Sequence, residues 1–557
     1  MTTRALEERR LVLQCTLDEQ RTRAERNRLG QFATPPPLAN SIVVSTLSLL
    51  PERTRVRFLD PAFGTGSFYS ALLRLVAGSR LEHALGFEID EEFGQAAAKL
   101  WRSSGLDLRV ADFTLAPIPA DRAAKPNLLV CNPPYVRHHH LDREVKARLQ
   151  VAVKHRLGIE VSGLSGLYCY FMLMSHLWMA DDGVAAWLVP SEFMDVGYGQ
   201  AIKRYLLDRV ETLRIHRFDP ADVQFDDALV SSCVVWFRKR QPMPRQTIVF
   251  SYGGSIEAPA TERLVPTDEL RLEHKWTRFP TRAPRSQSAR ARLGDFFVVR
   301  RGIATGANGT FVMTLDQARE RGLPPQCLRP ILPSPRHLAA DEVLADEDGA
   351  PRTEPQLVLL DCRLPERRVK EEHPALWRYF EKARPEIAGR YLCARRTPWY
   401  AQESRPAPPF LCTYIVRATA RPFRFILNHS RATAANVYLL LYPRPFVALA
   451  LEADRGLKRR LWQALNRCEL HTMLDEGRVY GGDLHKLEPK ELANVPADQL
   501  LELLPALPVT TQAPRTLFEE AAVRDAPPHA RRTRPKPRKV RQKRGSQTPA
   551  RRPRHAD

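Results

Sequence analysis

Asn127-Leu128-Leu129-Val130-Cys131-Asn132-Pro133-Pro134-Tyr135 is the stretch on which the reading of this chain turns. A short apolar run that stops abruptly describes a buried strand ending at a loop. Two successive prolines fix φ and remove two backbone donors, so the strand cannot continue through Pro133 and Pro134. The Asn132 side-chain oxygen and the Pro133 carbonyl can then point together into the space beyond the strand tip. Two acceptors at one point suit an –NH2 group, and Tyr135 can lay its ring on a planar partner. In isolation the same residues also describe a plain strand-terminating proline turn. The three strands before it decide between the two.

The first strand, Val56-Arg57-Phe58-Leu59-Asp60, runs into Pro61-Ala62-Phe63-Gly64-Thr65-Gly66-Ser67-Phe68, and a helix follows. Two glycines let the backbone turn tightly and approach a ligand with no Cβ in the way. The helix start supplies free N–H groups. The second strand ends Gly86-Phe87-Glu88-Ile89-Asp90. An acid at that tip, about 20 residues on, is where nucleotide-binding α/β folds grip a ribose. Asp90 is also a good helix cap; Glu88, lying before the cap, is not explained that way. The third strand ends Val110-Ala111-Asp112-Phe113, an acid and an aromatic that can hold an adenine ring, one by its amino group and one by its face. Three acidic strand tips in succession describe a nucleoside pocket, and on a fourth strand the Asn-Pro-Pro-Tyr corner becomes its mouth.

Outward from these motifs the pattern alternates. Helical stretches at 36–49, 67–78, 91–103, 166–180 and 198–208 separate apolar runs at 56–60, 84–90, 106–112, 127–131, 184–189, 212–218 and 229–238. Such alternation predicts an α/β fold with a doubly wound parallel sheet and its ligand at the strand C-termini. The run at 229–238 follows its predecessor after a short loop, which leaves an antiparallel hairpin at that edge open. Residues 1–29 read as one charged helical arm anchored by Leu6, Leu11 and Leu13. After about 245 proline becomes frequent, short strands dominate, and helices are expected at 372–387 and 456–467. The predicted organisation is therefore an arm (1–29), a catalytic domain (30–245), a mixed α+β second domain (246–510) and a basic tail (511–557) disordered on composition.

Charge supplies the first clue to a partner. The 557 residues carry a formal net charge of +22 at pH 7, and residues 531–557 alone hold twelve Lys/Arg against Asp557. The body is thus basic without its tail, which favours nucleic acid over a membrane surface; a solvated basic surface is the bland alternative. No run approaches the ~20 apolar residues of a membrane span, and the opening MTTRALEERRLVLQ has no signal-peptide core. The nine cysteines are scattered with no CxxC pair, so neither zinc ribbon nor disulfide framework is expected, and a reducing cytoplasm fits. His138-His139-His140 cannot all face one ion, and no metal site is expected.

The set resembles the amino-methyltransferases of DNA that use S-adenosylmethionine, specifically the gamma-class N6-adenine enzymes of type II restriction–modification systems. In motif order it is similar to TaqI-type methylases and in size to XamI- or SalI-type methylases. The gamma order needs a motif before the glycine turn, and Gly30-Gln31-Phe32-Ala33-Thr34-Pro35-Pro36 matches it. Downstream, Phe225-Asp226-Asp227-Ala228-Leu229-Val230-Ser231-Ser232 stands where the family places an aromatic against a flipped base. Arg301-Gly302-Ile303-Ala304-Thr305-Gly306 and Tyr480-Gly481-Gly482-Asp483 resemble the opening and closing turns of target-recognition domains.

The resemblance implies a Rossmann-like methyltransferase fold and S-adenosyl-L-methionine as cofactor. It implies that the turn containing Thr34 closes over the methionine end, which Asp60, Pro61, Ala62, Gly64 and Gly66 also face. Glu88 would bind the ribose hydroxyls, Ile89 pack on the adenine, and Asp112 accept from its amine with Phe113 beside it. Asn132, Pro133, Pro134, Tyr135 and Phe225 would form the catalytic set: acceptors for the target amine, and rings stacked on the extruded base. Double-stranded DNA is the implied partner, with a separate cognate restriction endonuclease; the 29 leading residues leave no room for a nuclease domain. A cytoplasmic monomer is expected. The competing readings are a methyltransferase of protein glutamine or ribosomal RNA, where the same corner occurs, and a specificity-type DNA-binding protein with a dead core.

Overall fold

The computed structural model describes residues 2–219, 231–280, 290–417, 423–468, 470–480 and 484–504. Phe225, the Gly481-Gly482-Asp483 turn and the basic tail lie outside the described residues.

Two helices, α1 (Thr3–Glu19) and α2 (Arg23–Leu29), precede α3 (Pro36–Leu47). The alternation then runs β1 (Val56–Asp60), α4 (Ser67–Leu75), β2 (Leu81–Glu88), α5 (Glu91–Trp101), β3 (Leu106–Val110), β4 (Leu128–Cys131), α6 (Arg143–Leu157), α7 (Leu167–Ser175), β5 (Val184–Pro190), α8 (Gln200–Asp208), β6 (Glu211–Arg217) and β7 (Ser232–Arg238). A hairpin, β8 (Thr247–Gly254) and β9 (Pro259–Pro266), follows. All nine strands form one sheet in the order β3-β2-β1-β4-β5-β7-β6-β8-β9. β1 to β5 are parallel. Strand order reverses beside β1, so a crevice opens where the tips of β1 and β4 diverge.

Successive residues of the central strands serve opposite faces. Leu128 and Val130 join one apolar cluster with α3, α4 and α5, while Leu129 and Cys131 join the other with α6, α7 and α8. Burial on both faces is why β4 reads as an unbroken apolar run rather than an alternation.

Four expectations change. The arm is two helices, broken after Glu19 and restarted by a Thr22–Glu25 capping box; its buried residues on α1 are Glu7, Arg10 and Leu17, whereas Leu11 is exposed. The 136–165 segment, outside the helical stretches expected from sequence, carries α6, capped by Asp142 and closed by Gly158, with only Leu149 and Val153 buried. The antiparallel strand β7 lies inside the sheet between β5 and β6, not at an edge. Finally, the sheet does not stop at 245. β8 pairs parallel to β6 and β9 pairs back on β8. Ile248, Phe250, Val265, Leu270, Trp276 and Phe279 complete the same core as β4 and β5. Pro242, Pro244, Pro259 and Pro266 sit in turns and at strand ends, so the proline enrichment marked connections and not a change of domain.

Beyond 290 the architecture is mixed. A five-stranded sheet (outer strands Phe297–Arg301 and Glu342–Val343), a four-stranded and a three-stranded sheet pack with the helices Pro374–Ile387 and Leu457–Leu465. The two parts are joined by buried polar contacts. Lys275 Nζ donates to the carbonyls of Glu476, at 2.7 Å, and Gly477. Arg278 pairs with Glu476 at 2.8 Å across the same join, and within the first part Thr277 Oγ1 donates to Asp195 at 2.7 Å, which holds the 275–278 segment in place. Among the described residues no helix is long and apolar enough to cross a membrane.

Candidate cofactor and amine-binding site

At the tip of β1, Asp60 is 1% exposed and accepts the Ala62 N–H at 3.1 Å. Burial lifts its carboxyl to about 8; the Ala62 N–H opposes the lift and the charge of Glu88 adds to it. Pro61 is buried and Ala62 half-buried beside it. The two glycines of the turn have different reasons to be glycine. Gly66, at φ +90°, would set a Cβ 2.6 Å from the Phe63 ring, so packing excludes a side chain. Gly64, at φ +55°, has nothing within 4 Å of where a Cβ would stand. The turn is therefore walled on one side and open at Gly64.

Glu88, at the tip of β2, ties this turn to its own strand. One carboxylate oxygen accepts the Gly64 N–H at 2.8 Å and the other the Asp90 N–H at 2.9 Å. Burial raises its pKa, with Asp90 adding to the rise against these two hydrogen bonds. Ile89 next to it is 70% exposed, a large apolar side chain held out at a strand tip. Asp112 accepts the Thr114 N–H and hydroxyl at 2.8 and 2.7 Å, and Arg148 of α6 reaches its other oxygen at 3.3 Å. Phe113 departs from expectation. Its ring is buried against Phe87, Phe171 and Trp178, with centroids at 5.3–5.6 Å, so its face is part of the core and not of the pocket wall.

At the tip of β4 the corner is seated on the 30–36 turn. Both amide hydrogens of Asn132 are engaged: Nδ2 donates to the Phe32 carbonyl at 2.9 Å and to Thr34 Oγ1 at 3.1 Å. Oδ1, turned the other way, accepts no hydrogen bond among the described residues. Gly30 makes this close approach feasible. Its carbonyl accepts the Tyr135 N–H at 3.1 Å, and at φ +69° a Cβ there would stand 2.4 Å from the Tyr135 nitrogen. Pro133 is buried and Pro134 half-buried. Tyr135 does not stand as an open platform. It is 7% exposed, its hydroxyl donates to the Leu188 carbonyl at 3.1 Å, and its ring lies 5.5 Å from that of Phe32. A buried phenol needs a partner, and β5 provides it.

The structure thus gathers Thr34, Asp60, Gly64, Glu88, Ile89, Asp112 and Asn132 on the strand tips of one sheet. It adds Arg148 and the arm residues Arg10, Gln14 and Arg21, which the sequence reading passed over. Only the Glu7/Arg10 spacing on α1 hinted at them. The donor set fits S-adenosyl-L-methionine: an open glycine, acceptors for hydroxyls and an amine, and an exposed apolar ledge. The three histidine rings lie against one another, the first pair edge-on at 5.2 Å and the second tilted at 4.2 Å, and no group of three or more metal-ligating side chains is gathered among the described residues.

Residues 113–224 match the family model for the Eco57I restriction-modification methylase, and residues 272–521 that for the C-terminal domain of type II methyltransferase M.Eco57I. The chain is 27% identical over 481 residues to type II methyltransferase M.XamI of Xanthomonas campestris pv. amaranthicola, covering 84% of each. It is 25% identical over 489 residues to type II methyltransferase M.AccI of Acinetobacter calcoaceticus, covering 84% of this chain and 85% of that one. The solved type IIG restriction endonuclease BpuSI aligns with 85% of this chain at 15% identity and a TM-score of 0.42; the chain spans 59% of that enzyme.

Proposed function

From kinship with type II restriction–modification methyltransferases, we propose that this chain moves a methyl group from S-adenosyl-L-methionine to the N6 amine of an adenine flipped out of double-stranded DNA. The observation that carries the reading is the seating of Asn132. With both amide hydrogens held by Phe32 and Thr34, the side chain has an acceptor left for a substrate, and no donor. A fixed acceptor beside the Pro133 carbonyl selects a group with two hydrogens to give.

An exocyclic amine is a poor nucleophile because its lone pair is shared with the ring. Two acceptors that take both hydrogens draw the nitrogen toward tetrahedral geometry and free that lone pair. The rate then comes from positioning and preorganised acceptors, and no strong base is required. The cofactor, when bound, supplies a sulfonium-activated methyl group. Asp60, Pro61, Ala62, Gly64, Gly66 and the Thr34 turn would hold its methionine part, Glu88 its ribose, and Ile89, Asp112 and the Phe113 backbone its adenine. Flipping the target base costs a few kcal/mol; stacking on Phe225 would offset about 1–3 kcal/mol of it. Tyr135, held by Gly30 and Leu188, would keep the corner's backbone in place. The part beyond 290 would read base edges in the major groove, with the basic surface holding phosphates. The protein would act in the cytoplasm, as a monomer, alongside a separate endonuclease.

The test is transfer of tritium from labelled cofactor to duplex DNA, RNA and protein offered together. Label is expected in N6-methyladenine of the duplex; label in protein or RNA would overturn the assignment. Asn132→Ala is expected to abolish transfer while S-adenosylhomocysteine still binds within about twofold, since truncation removes acceptors for the target and leaves the cofactor's contacts in place.

A further inference from the structure

Resting on that reading for the identity of the ligand, we propose that Arg10 is a positioning residue. Its buried guanidinium, on the N-terminal helix, fixes the 64–67 turn from the protein side and so sets cofactor affinity without touching the cofactor.

The geometry is unusually complete for a residue of an arm. The Arg10 side chain is 1% exposed. Its Nε and one terminal nitrogen grip Glu7 at 2.7 and 2.8 Å, which neutralises the charge and holds the plane of the guanidinium. Burial raises the pKa of Glu7, but Arg10, with Ser70 and the charge of Arg74, together outweigh it and the carboxyl lies below its usual range. The remaining nitrogen is thereby aimed at the turn. It donates to Thr65 Oγ1 at 3.2 Å and to Ser67 Oγ at 3.0 Å. Thr65 is held from two further directions: its hydroxyl donates to Gln14 Oε1 at 2.7 Å, and its carbonyl accepts Trp101 Nε1 at 2.9 Å.

Thr65 stands between Gly64 and Gly66, both at positive φ and both free of a side chain that could restrain them. Without outside fixation this turn would be the most permissive piece of backbone in the pocket, and a ligand would have to order it on binding. Fold stability alone does not account for the pair, because a buried ion pair is commonly no more stabilising than apolar residues of the same volume. The same segment continues along the site. Arg21 pairs with Asp90 at 2.7 Å, and the 30–34 turn seats Asn132 through the Phe32 carbonyl and the Thr34 hydroxyl. One run of chain thus fastens the cofactor turn, the tip of β2 and the catalytic amide in succession.

The test uses the full chain carrying Arg10→Met, Thr65→Val, both changes, or Arg10→Lys. S-adenosylhomocysteine affinity is measured by calorimetry, duplex DNA affinity by titration, and amide exchange at 64–67 in the ligand-free protein. Each single change to Met or Val is expected to weaken S-adenosylhomocysteine by about tenfold, the ordering of roughly one residue, with faster exchange at 64–67 and unchanged DNA affinity. Because the two changes share the Arg10–Thr65 contact, while Ser67 is lost only with Arg10 and Gln14 only with Thr65, the double variant is expected to lose clearly less than the sum of the two, and Arg10→Lys to recover part of the loss. Unchanged affinity in a folded Arg10→Met protein, or additive losses in the double variant, would overturn the proposal. Should Arg10→Met fail to fold, Thr65→Val leaves the Glu7–Arg10 pair in place, and its unchanged affinity would do the same. A wild-type chain that binds no S-adenosylhomocysteine would instead overturn the cofactor reading; the exchange rates would still judge the role of Arg10.

Discussion

Asp60 is the residue whose chemistry the fold alters most. Its carboxyl rests at about 8, so in the free protein it is largely protonated at neutral pH. A cationic ligand beside it favours the ionised form, and binding must then release a proton. The sign follows by linkage: affinity for S-adenosylmethionine is expected to rise with pH up to about 8, because below that value ligand and proton compete. Calorimetry in two buffers of different ionisation heat reads the released proton, and Asp60→Asn should remove both it and the pH slope relative to wild type. An identical slope in the variant would refute the coupling. The place of Asp60, Glu88 and Asn132 at strand tips was legible in the sequence because each closes an apolar run. The state of their groups was not, since it depends on what is buried around them. Phe113 and Tyr135 show the same limit: an aromatic at a strand tip can face ligand or core, and the burial of Phe87, Trp178 and Leu188 around them decides.

At the scale of elements, the 30–36 turn is the least tolerant part of the site. Gly30→Ala puts a side chain at φ +69° and a Cβ 2.4 Å from the Tyr135 nitrogen. The left-handed backbone alone costs about 1–2 kcal/mol, and the clash must push the turn away from β4. A melting temperature lower by several degrees is expected, with methyl transfer slowed at least about tenfold as Asn132 loses its seat. S-adenosylhomocysteine affinity should fall too, but by less, because the same turn would hold its methionine part. Equal losses in both would mean that the turn has no separate role in seating the amide. The turn was legible as a motif, but its grip on Asn132, 98 to 100 residues away, is tertiary. Helix α6 was missed for a related reason. Its surface is charged and just two apolar residues, Leu149 and Val153, are buried, so the stripe that announces a helix is nearly absent.

For the molecule as a whole, the join between its parts is polar and buried. Lys275 caps the carbonyls of Glu476 and Gly477, and Arg278 pairs with Glu476 under the same cover. Burial lowers the pKa of Lys275, with Asp195, Glu491 and Glu476 opposing the shift. Lys275→Met would leave carbonyls unsatisfied, at about 1–3 kcal/mol. The expected outcome is a calorimetric unfolding profile that separates into two transitions, with weaker duplex binding and unchanged S-adenosylhomocysteine affinity. A single transition at the wild-type temperature would show that the join does not couple the two parts. At this scale the succession of β1 to β5 along the chain was legible from the alternation of apolar runs and helices. The place where the first sheet ends was not, because proline counts report turns and cannot distinguish a hairpin from a linker.

That last point governs how the polypeptide can be cut in two. A gene severed at codon 245 would leave β6 paired to β7 alone, its other edge bared to any passing strand and the seats of Ile248, Phe250 and Trp276 empty. Severing after codon 280 keeps that flank tiled. A split version reassembled by a small-molecule dimeriser should therefore be built on the later seam, with the earlier one giving insoluble halves.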